Sequence, residues 1–405
     1  MIKCFVEKHM LIKLQQKTEY TILAGSLVDG TGRAPQSNVA IRVKNGKISE
    51  VLPCPDTRPA TQVLIDCSHL TILPGLVDCH VHLALNEASR SEIAGCQDDD
   101  ISFKAVIGRL NDIMTAGIMA VRDGGDRNLT GIKAVRRLNQ ASTPFPLVVT
   151  TGRALRKKSR YGLFLGHGLL PEEIPATIQQ LAREGVNQIK ALVSGIVSFR
   201  EYGQVGNTQF SLSELELLVQ EAHDHGLKVM AHASSNKAVV LAVQAGVDSI
   251  EHGYFISERS LSAMAEKNIA WVPTVIPVAV QTRFPLNKNY SETELDIISR
   301  TYRQHLLMIA RGARMGVTIG AGTDAGATGV KHGASYVEEL KLFAEAGLPN
   351  TAIIRAATLN GASILGLAEQ LGTVEPGRKA WLTGVQGNPL ENIEHLKKPA
   401  VIFYV

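Results

Sequence analysis

The stretch Ile72-Leu-Pro-Gly-Leu-Val-Asp-Cys-His-Val-His-Leu83 is an apolar run that ends in two histidines separated by one residue. Side chains alternate between the two faces of an extended strand, so His80 and His82 project from the same face. Two neutral imidazoles held close together on a rigid strand can supply half of the ligands of a divalent metal ion. A bare HxH pattern is more often just two polar residues at a strand end, so this interpretation depends on the rest of the chain.

Apolar strand-like segments alternate with helix-like segments after His82. Seven such strands follow the first, at 117–123, 147–151, 187–193, 228–233, 247–252, 269–274 and 317–324. Helix signals lie between several of them, such as a capping box at Ser211 and Glu214 with Gly226 beyond the helix end. Alternating strands and helices favour parallel pairing, and eight repeats predict an α/β fold, a closed (β/α)8 TIM barrel. Such a barrel places its chemistry at the C-terminal ends of the strands.

A different pattern precedes the predicted barrel. Between Thr21 and Leu73 the chain consists of brief β-branched runs separated by turn signals. Asn45-Gly46 stands between two of these runs and is a strong hairpin sequence. The region therefore predicts a small all-β unit.

Composition excludes several classes of protein. The chain has 405 residues, of which 45% are hydrophobic and 20% charged, as in ordinary globular proteins. Its 42 basic and 38 acidic residues are spread along the sequence, which gives no case for a nucleic acid or membrane partner. The 5 cysteines, Cys4 and Cys96 among them, form no CxxC pair, which favours reduced thiols. With no signal-peptide pattern at the N-terminus, we expect a cytoplasmic location.

Polar residues close the apolar strands at the positions where a metal ion would need ligands. Strand one ends in two histidines, strands five and six each end in one, strand eight ends in an aspartate and strand four carries a lysine: His80, His82, His232, His252, Asp324 and Lys190. Meeting at one rim, these groups could surround a pair of divalent ions. A buried lysine has a depressed amine pKa, and its neutral amine can take up CO₂ to form a carbamate that bridges two metals.

These motifs resemble those of the amidohydrolase superfamily of metal-dependent hydrolases. The resemblance is carried by Pro74-Gly-Leu-Val-Asp-Cys-His-Val-His82, Ile189-Lys190, Ala231-His-Ala233, Ile250-Glu-His-Gly253 and Gly322-Thr-Asp-Ala-Gly326. Within the superfamily, the chain is most similar to prolidase-like and imidazolonepropionase-like members with a carbamylated lysine. The resemblance extends over nearly the whole chain, from about Thr21 onward. We accordingly expect three segments: residues 1–73 and 366–405 as the two parts of a small β-sandwich domain, and residues 74–365 as the barrel.

The resemblance implies a binuclear hydrolase of an amide bond in a small substrate, such as a dipeptide or an N-acyl amino acid. His80, His82 and Asp324 would hold the more buried metal ion and His232 and His252 the more exposed one, while carbamylated Lys190 would bridge the two. The expected ions are two divalent metals, with zinc as the first candidate. A hydroxide bridging the metals would attack the carbonyl, and Asp324 would move its proton to the leaving amine. Asp78 is expected to be structural.

Substrate contacts are predicted at four further positions. His167 and His332 match histidines of the family, the first facing the substrate and the second orienting the Asp324 loop. Arg153 begins a basic loop, residues 153–160, that could bind a substrate carboxylate, although a solvated basic loop is the competing interpretation. Tyr254 could replace a tyrosine that dipeptide-cleaving relatives carry two residues after the strand-five histidine, where this chain has Ser234.

Other functions stay open. On the same site the chain could be a lactonase, a phosphotriesterase or a cyclic-amide hydrolase. A heterocycle deaminase is disfavoured, because deaminating relatives carry a glutamate where this chain has Ser235. An inactive scaffold is disfavoured as well, because none of the six expected ligands is missing. The resemblance also implies a homo-oligomer.

Overall fold

A computed structural model describes residues 2–3, 10–54, 63–85, 99–140 and 144–405. Cys4 and Cys96, two of the predicted thiols, lie outside these ranges. One mixed sheet of eight strands is built from both ends of the chain, in the order β2-β17-β16-β6-β3-β4-β5 with β1 beside β6. Its strands are Ile2–Lys3 (β1), Met10–Lys13 (β2), Tyr20–Leu27 (β3), Gln36–Lys44 (β4), Lys47–Pro53 (β5), Val63–Pro74 (β6), Leu382–Val385 (β16) and Val401–Tyr404 (β17).

The hairpin predicted at Asn45-Gly46 joins β4 and β5. Lys44 pairs with Lys47 across the turn, and both central residues have positive φ, at 52° and 72°. Positive φ at both positions is what the two-residue hairpin turn requires. The sheet has its own apolar core, which draws on both chain ends because Phe403 packs in the same cluster as Ile22. The predicted division of this sheet into the two layers of a sandwich stays a prediction, as do the domain boundaries.

The central part of the chain forms parallel strands. They are Leu76–Val81 (β7), Ile118–Asp123 (β8), Leu147–Thr150 (β9), Ala154–Lys157 (β10), Gly168–Leu169 (β11), Gln188–Leu192 (β12), Lys228–Ala233 (β13), Ser249–His252 (β14) and Ala270–Val272 (β15). One sheet has the order β7-β8-β9 and the other β11-β10-β12-β13-β14-β15. The two are linked where the Asn187 amide, just before β12, donates to the Thr150 carbonyl at the end of β9 (2.9 Å).

The prediction of a continuous strand at 317–324 is wrong. This segment makes only isolated parallel bridges, Trp271 with Ile319 on one side and Val81 with Ala325 on the other. Its glycines let neighbouring elements approach closely: a Cβ at Gly322 would lie 2.4 Å from Val272 Cγ1. The segment nevertheless lies between β15 and β7, so it occupies the position of the predicted eighth strand.

Eleven α-helices are present in the described residues, most of them between consecutive parallel strands. They are Asp99–Thr115 (α1), Thr130–Leu138 (α2), Ile174–Arg183 (α3), Leu212–Asp224 (α4), Asn236–Ala245 (α5), Glu258–Glu266 (α6), Ile276–Ala279 (α7), Glu292–Arg314 (α8), Tyr336–Glu345 (α9), Asn350–Arg355 (α10) and Gly361–Leu365 (α11). The predicted capping box starts α4: Ser211 accepts a hydrogen bond from the Glu214 amide, and Glu214 accepts one from the Ser211 amide. Within the described ranges, every helix is too short or too polar to cross a membrane.

Candidate metal centre and substrate cavity

The two histidines of the stretch 72–83 lie at the end of β7. There they meet Asp324, the last residue of the segment 317–324, which is called the eighth segment below. His80 Nε2 lies 3.5 Å and His82 Nε2 3.4 Å from Asp324 Oδ1. One ligand atom from each of the three residues falls within 4.8 Å of the other two, a spacing that can hold a metal ion. His80 is fully buried, whereas the Asp324 side chain is 16% exposed and faces the cavity.

Lys190 reaches the same point from β12. Its Nζ lies 3.1 Å from His80 Nε2 and 3.2 Å from His82 Nε2. The side chain is buried, and this burial is the main cause that lowers the pKa of the amine from 10.5 to about 8. A substantial fraction of the amine is therefore neutral near physiological pH.

The remaining two predicted ligands lie on the other side of His80. The ring of His252 is centred 5.1 Å from that of His80 and 4.6 Å from that of His232. Burial lowers the pKa values of His80 and His252 well below the ordinary value of 6.5, so both imidazoles are neutral. A neutral imidazole is the form that binds a metal ion. The structure thus brings together all six side chains that the sequence predicted as ligands.

Each histidine uses one ring nitrogen for a partner away from the centre. His82 Nδ1 donates to the Gly125 carbonyl (3.2 Å), and His252 Nδ1 is 2.6 Å from Thr274 Oγ1. His232 instead donates from Nε2, to the Gly195 carbonyl (3.2 Å). Since a carbonyl can only accept, these bonds place the ring proton of a neutral imidazole on Nδ1 of His82 and on Nε2 of His232, and the lone pair on the other nitrogen, which in His82 faces Lys190 Nζ. Hydrogen bonds of this kind fix the tautomer and the ring orientation of metal-binding histidines.

The backbone is strained at this rim. His252, Thr274 and Asp324 all have left-handed φ values, of 68°, 48° and 55°. Such a conformation costs about 1–3 kcal/mol for a residue with a side chain, and residues of this kind cluster at functional sites. Asp78 stabilises the rim as a structural residue: its carboxylate accepts hydrogen bonds from the Thr323 hydroxyl (2.7 Å) and amide (3.0 Å), directly before Asp324.

The six side chains lie at or beside the floor of a cavity of about 350 Å³. Its walls are mainly apolar and include five aromatic side chains: Tyr161, Phe164, Phe199, Tyr254 and Tyr290. Among the described residues that line the cavity, Lys190 and Asp324 are the charged ones. This volume accommodates a small organic molecule.

The four predicted substrate contacts fall in different places. Tyr254 lines the cavity and its ring stacks on His252, while its hydroxyl donates to the Thr274 carbonyl (3.1 Å). His332 is buried behind the centre, with Nε2 3.1 Å from the His82 carbonyl oxygen, so it supports the His82 backbone. His167 is exposed and Arg153 is 3.5 Å from Glu184, and neither belongs to the lining of the cavity.

The other basic side chains of the loop 153–160 are also engaged or solvated. Arg156 is buried, and its guanidinium donates to the carbonyls of Gly166 (2.9 Å) and Arg160. Lys157 forms an ion pair with Glu214 (2.7 Å). Lys158 and Arg160 are exposed, as the competing interpretation of a solvated loop expects, whereas Arg156 is buried and Lys157 half-buried, which neither interpretation predicts.

Glu251 and Arg122 are buried at the centre, and the sequence interpretation gave them no role. Glu251 Oε2 lies 2.7 Å from His80 Nδ1, and Oε1 lies 2.6 Å from an Arg122 guanidinium nitrogen. Glu251 stands inside the quoted motif, directly before His252. A carboxylate directly before a predicted ligand, inside the quoted motif, is the signal that could have identified it.

The fold and this set of nitrogen and oxygen donors define a metal-dependent hydrolase. A sequence profile of the amidohydrolase family matches residues 71–405, and the chain belongs to this family. The match covers all six predicted ligands, from His80 to Asp324. The predicted resemblance to the amidohydrolases is therefore confirmed, while the carbamylated lysine stays a prediction.

Relatives of known activity extend over most of the chain. Ochratoxinase of Aspergillus niger is 25% identical over 98% of this chain and 87% of its own length. Imidazolonepropionase of Sphingopyxis alaskensis is 26% identical over 91% of this chain and 90% of its own. A solved Xaa-Pro dipeptidase with bound methionine has 27% identity and a TM-score of 0.83, covering 96% of this chain and all of that one. The chain is thus similar to hydrolases throughout its length.

Proposed function

We propose that this protein is a binuclear hydrolase that cleaves the amide bond of a small substrate, such as a dipeptide or an N-acyl amino acid. The observation that carries the proposal is the convergence of six donor side chains at one cavity, five of them in its lining and His80 directly behind, in contact with Lys190 and Asp324. His80, His82 and Asp324 would hold one divalent ion, with zinc as the first candidate. His232 and His252 would hold the other.

Lys190 would bridge the two ions as a carbamate. The distances from Nζ to both histidines of the first ion support this role, and the amine with a pKa of about 8 can react with CO₂ in its neutral form. The carbamate carries a negative charge, which would offset the charge of two cations in a buried site. Without it, the site would hold four neutral imidazoles and a single carboxylate.

Asp324 would be the catalytic acid and base. Its carboxylate is within 3.5 Å of both histidines and is partly exposed to the cavity, where the reacting carbonyl must lie. When bound, the metal ions would lower the pKa of the attacking water and polarise the carbonyl. The Asp324 carboxylate would accept the proton of that water and donate it to the nitrogen as the C–N bond breaks, so that an acid and an amine leave.

The cavity walls favour a substrate with an apolar group. Tyr161 on one side and Tyr254 on the other flank the histidines, with ring centres 5.8 Å from His232 and 5.7 Å from His252. Burial of an aromatic or aliphatic group against such walls is favourable by about 25 cal/mol for each Å² removed from water. We infer that N-acyl derivatives of apolar amino acids are better substrates than those of charged ones.

The parallel strands would form a closed barrel beneath this site. Support comes from the isolated bridges that connect the eighth segment to β15 and to β7, and from the link between β9 and β12. In a closed barrel the C-terminal strand ends meet at one rim, which accounts for six ligands from distant parts of the chain.

A substrate screen with the zinc-loaded protein tests the proposed function. N-acyl amino acids and dipeptides should release an amine, and Asp324→Asn should lower kcat by about 10²-fold or more, because it removes the proton acceptor. The same protein should be assayed with lactones, phosphotriesters and cyclic amides, and with heterocycles for release of ammonia. Hydrolysis of lactones or phosphotriesters without any amide cleavage would contradict the proposal.

One position counts against deamination, because Ser235 stands where deaminating relatives carry a glutamate. Ser235 begins α5 and its hydroxyl accepts a hydrogen bond from the Ala238 amide (3.2 Å). The side chain is therefore engaged as a helix cap, which is a structural function.

A further inference from the structure

Glu251 is a fully buried carboxylate whose two oxygens both accept hydrogen bonds. Oε2 accepts from His80 Nδ1 at 2.7 Å, while Oε1 accepts from Arg122 at 2.6 Å and from the Ser249 hydroxyl at 2.7 Å. The side-chain exposure of Glu251 is 0%. Burial of a carboxylate is tolerated only when its charge is paired and its oxygens accept hydrogen bonds.

Arg122 is in turn held rigidly. Its Nε donates to the Cys79 carbonyl (2.7 Å), and one terminal nitrogen donates to Gln188 Oε1 (3.1 Å) and Ser249 Oγ (3.0 Å). Three strands, β7, β12 and β14, therefore contribute partners to one guanidinium. The position of Glu251 is determined by the strands themselves, so the carboxylate cannot turn away from His80.

The four histidines of the centre differ in their outer partners. His82 and His232 donate to backbone carbonyls at 3.2 Å, and His252 is next to a threonine hydroxyl. Among the described contacts, His80 is the histidine whose outer partner is a carboxylate. Hydrogen bonds to an ionised acceptor are shorter and about twice as strong as neutral ones, and a carboxylate behind an imidazole raises its basicity as a ligand.

We propose that Glu251, anchored by Arg122, is a positioning residue that directs Nε2 of His80 into the metal centre and makes the two metal positions unequal. The ion held by His80 and His82 is the more tightly bound of the two, and the ion held by His232 and His252 exchanges first. This inference rests on the proposed binuclear function. It attributes the difference in affinity between the two ions to the Glu251–Arg122 network, whose residues are not themselves ligands.

Metal titration of the whole protein with Zn²⁺ tests this inference. Competition with a chromophoric chelator gives separate affinities for the two equivalents. Glu251→Gln keeps the size of the side chain and should weaken the tighter equivalent by about 10- to 100-fold, the range found for outer partners of metal-bound histidines. The weaker equivalent should be unchanged.

Thr274→Val is the matched control. It keeps the shape of the side chain and removes the hydroxyl beside His252 Nδ1, so it should weaken the other equivalent and leave the tighter one unchanged. If Glu251→Gln does not fold, the double variant Arg122→Met with Glu251→Gln removes both charges of the buried pair and should give the same selective loss.

Three results have different meanings. Wild-type affinities in the Glu251 variant would overturn the inference, and so would an equal loss of both equivalents, which a merely structural role would produce. Uptake of fewer than two equivalents by the wild-type protein would instead contradict the binuclear function on which the inference rests.

Discussion

Replacement of Lys190 by methionine should change the pH dependence of stability in the metal-free protein. The pKa of this amine is about 8 in the folded protein, mainly because it is buried, and 10.5 is the ordinary value that applies to the unfolded chain. Between these pH values the unfolded chain binds a proton that the folded chain does not, so folding stability rises with pH in this window. At 1.36 kcal/mol per pKa unit, the protonated lysine costs the folded protein about 3 kcal/mol at and below pH 7.

Lys190→Met removes this cost, and it also removes the contacts of Nζ with His80 and His82. The loss of these contacts shifts the stability of the variant by an amount that depends little on pH. The difference in unfolding free energy between variant and wild type should therefore fall by about 2 kcal/mol from pH 7 to pH 10. The variant should also lose hydrolytic activity.

Urea denaturation of chelator-treated protein in CO₂-free buffer measures this difference at each pH. Lys158→Met is the matched control, because Lys158 is exposed and its removal reports the loss of one surface charge. A stability difference for Lys190→Met that stays constant from pH 7 to pH 10 would refute the reasoning. It would mean that the buried amine keeps an ordinary pKa, and the carbamate would then lose its chemical basis.

Three further predictions concern the centre and its surroundings. Gly124→Ala should lower activity and zinc affinity, because its Cβ would lie 2.6 Å from His82 Cε1 and displace that ring, whereas Gly108→Ala in α1, where nothing lies within 4 Å, should not; equal activities would contradict this. Tyr336→Phe should lower the unfolding free energy by about 1–3 kcal/mol without changing kcat, since it removes a buried hydrogen bond to the Val77 carbonyl, and unchanged urea denaturation would count against it. Arg153→Ala should change KM for an N-acyl amino acid by no more than about twofold, because Arg153 lies outside the cavity lining and pairs with Glu184. A large increase in KM would show that Arg153 does bind the substrate carboxylate, as the sequence predicted.

The convergence of the six side chains could be predicted because it follows from two simple regularities. Buried parallel strands appear in the sequence as continuous apolar segments. In barrels, the polar residue at the C-terminal end of such a segment faces the functional site. His232 and Asp324 stand at such ends, so each was identifiable without knowledge of the other. The hairpin at Asn45-Gly46 and the helix cap at Ser211 were predictable for the same reason, because their signals are local.

The supporting contacts could not be predicted, because they depend on packing between distant residues. Glu251 and Arg122 are separated by 129 positions, and nothing in either strand indicates that their charges would neutralise each other in the interior. The eighth segment differed from the prediction because close approach to β15 replaces regular pairing at Gly322. The exposure of His167 was equally inaccessible, because it depends on how the loop after β10 folds back.

The predicted homo-oligomer and cytoplasmic location stay predictions, as does the identity of the metal. The proposed substrate depends on the cavity walls around Tyr161 and Tyr254.

Anomalous diffraction from crystals of the zinc-loaded protein tests the central claim most directly. The account predicts two zinc peaks, one between His80, His82 and Asp324 and one at His232 and His252. It also predicts density for a carbamate on Lys190 between the two peaks. Absence of zinc from these side chains, with an unmodified amine on Lys190, would contradict the account.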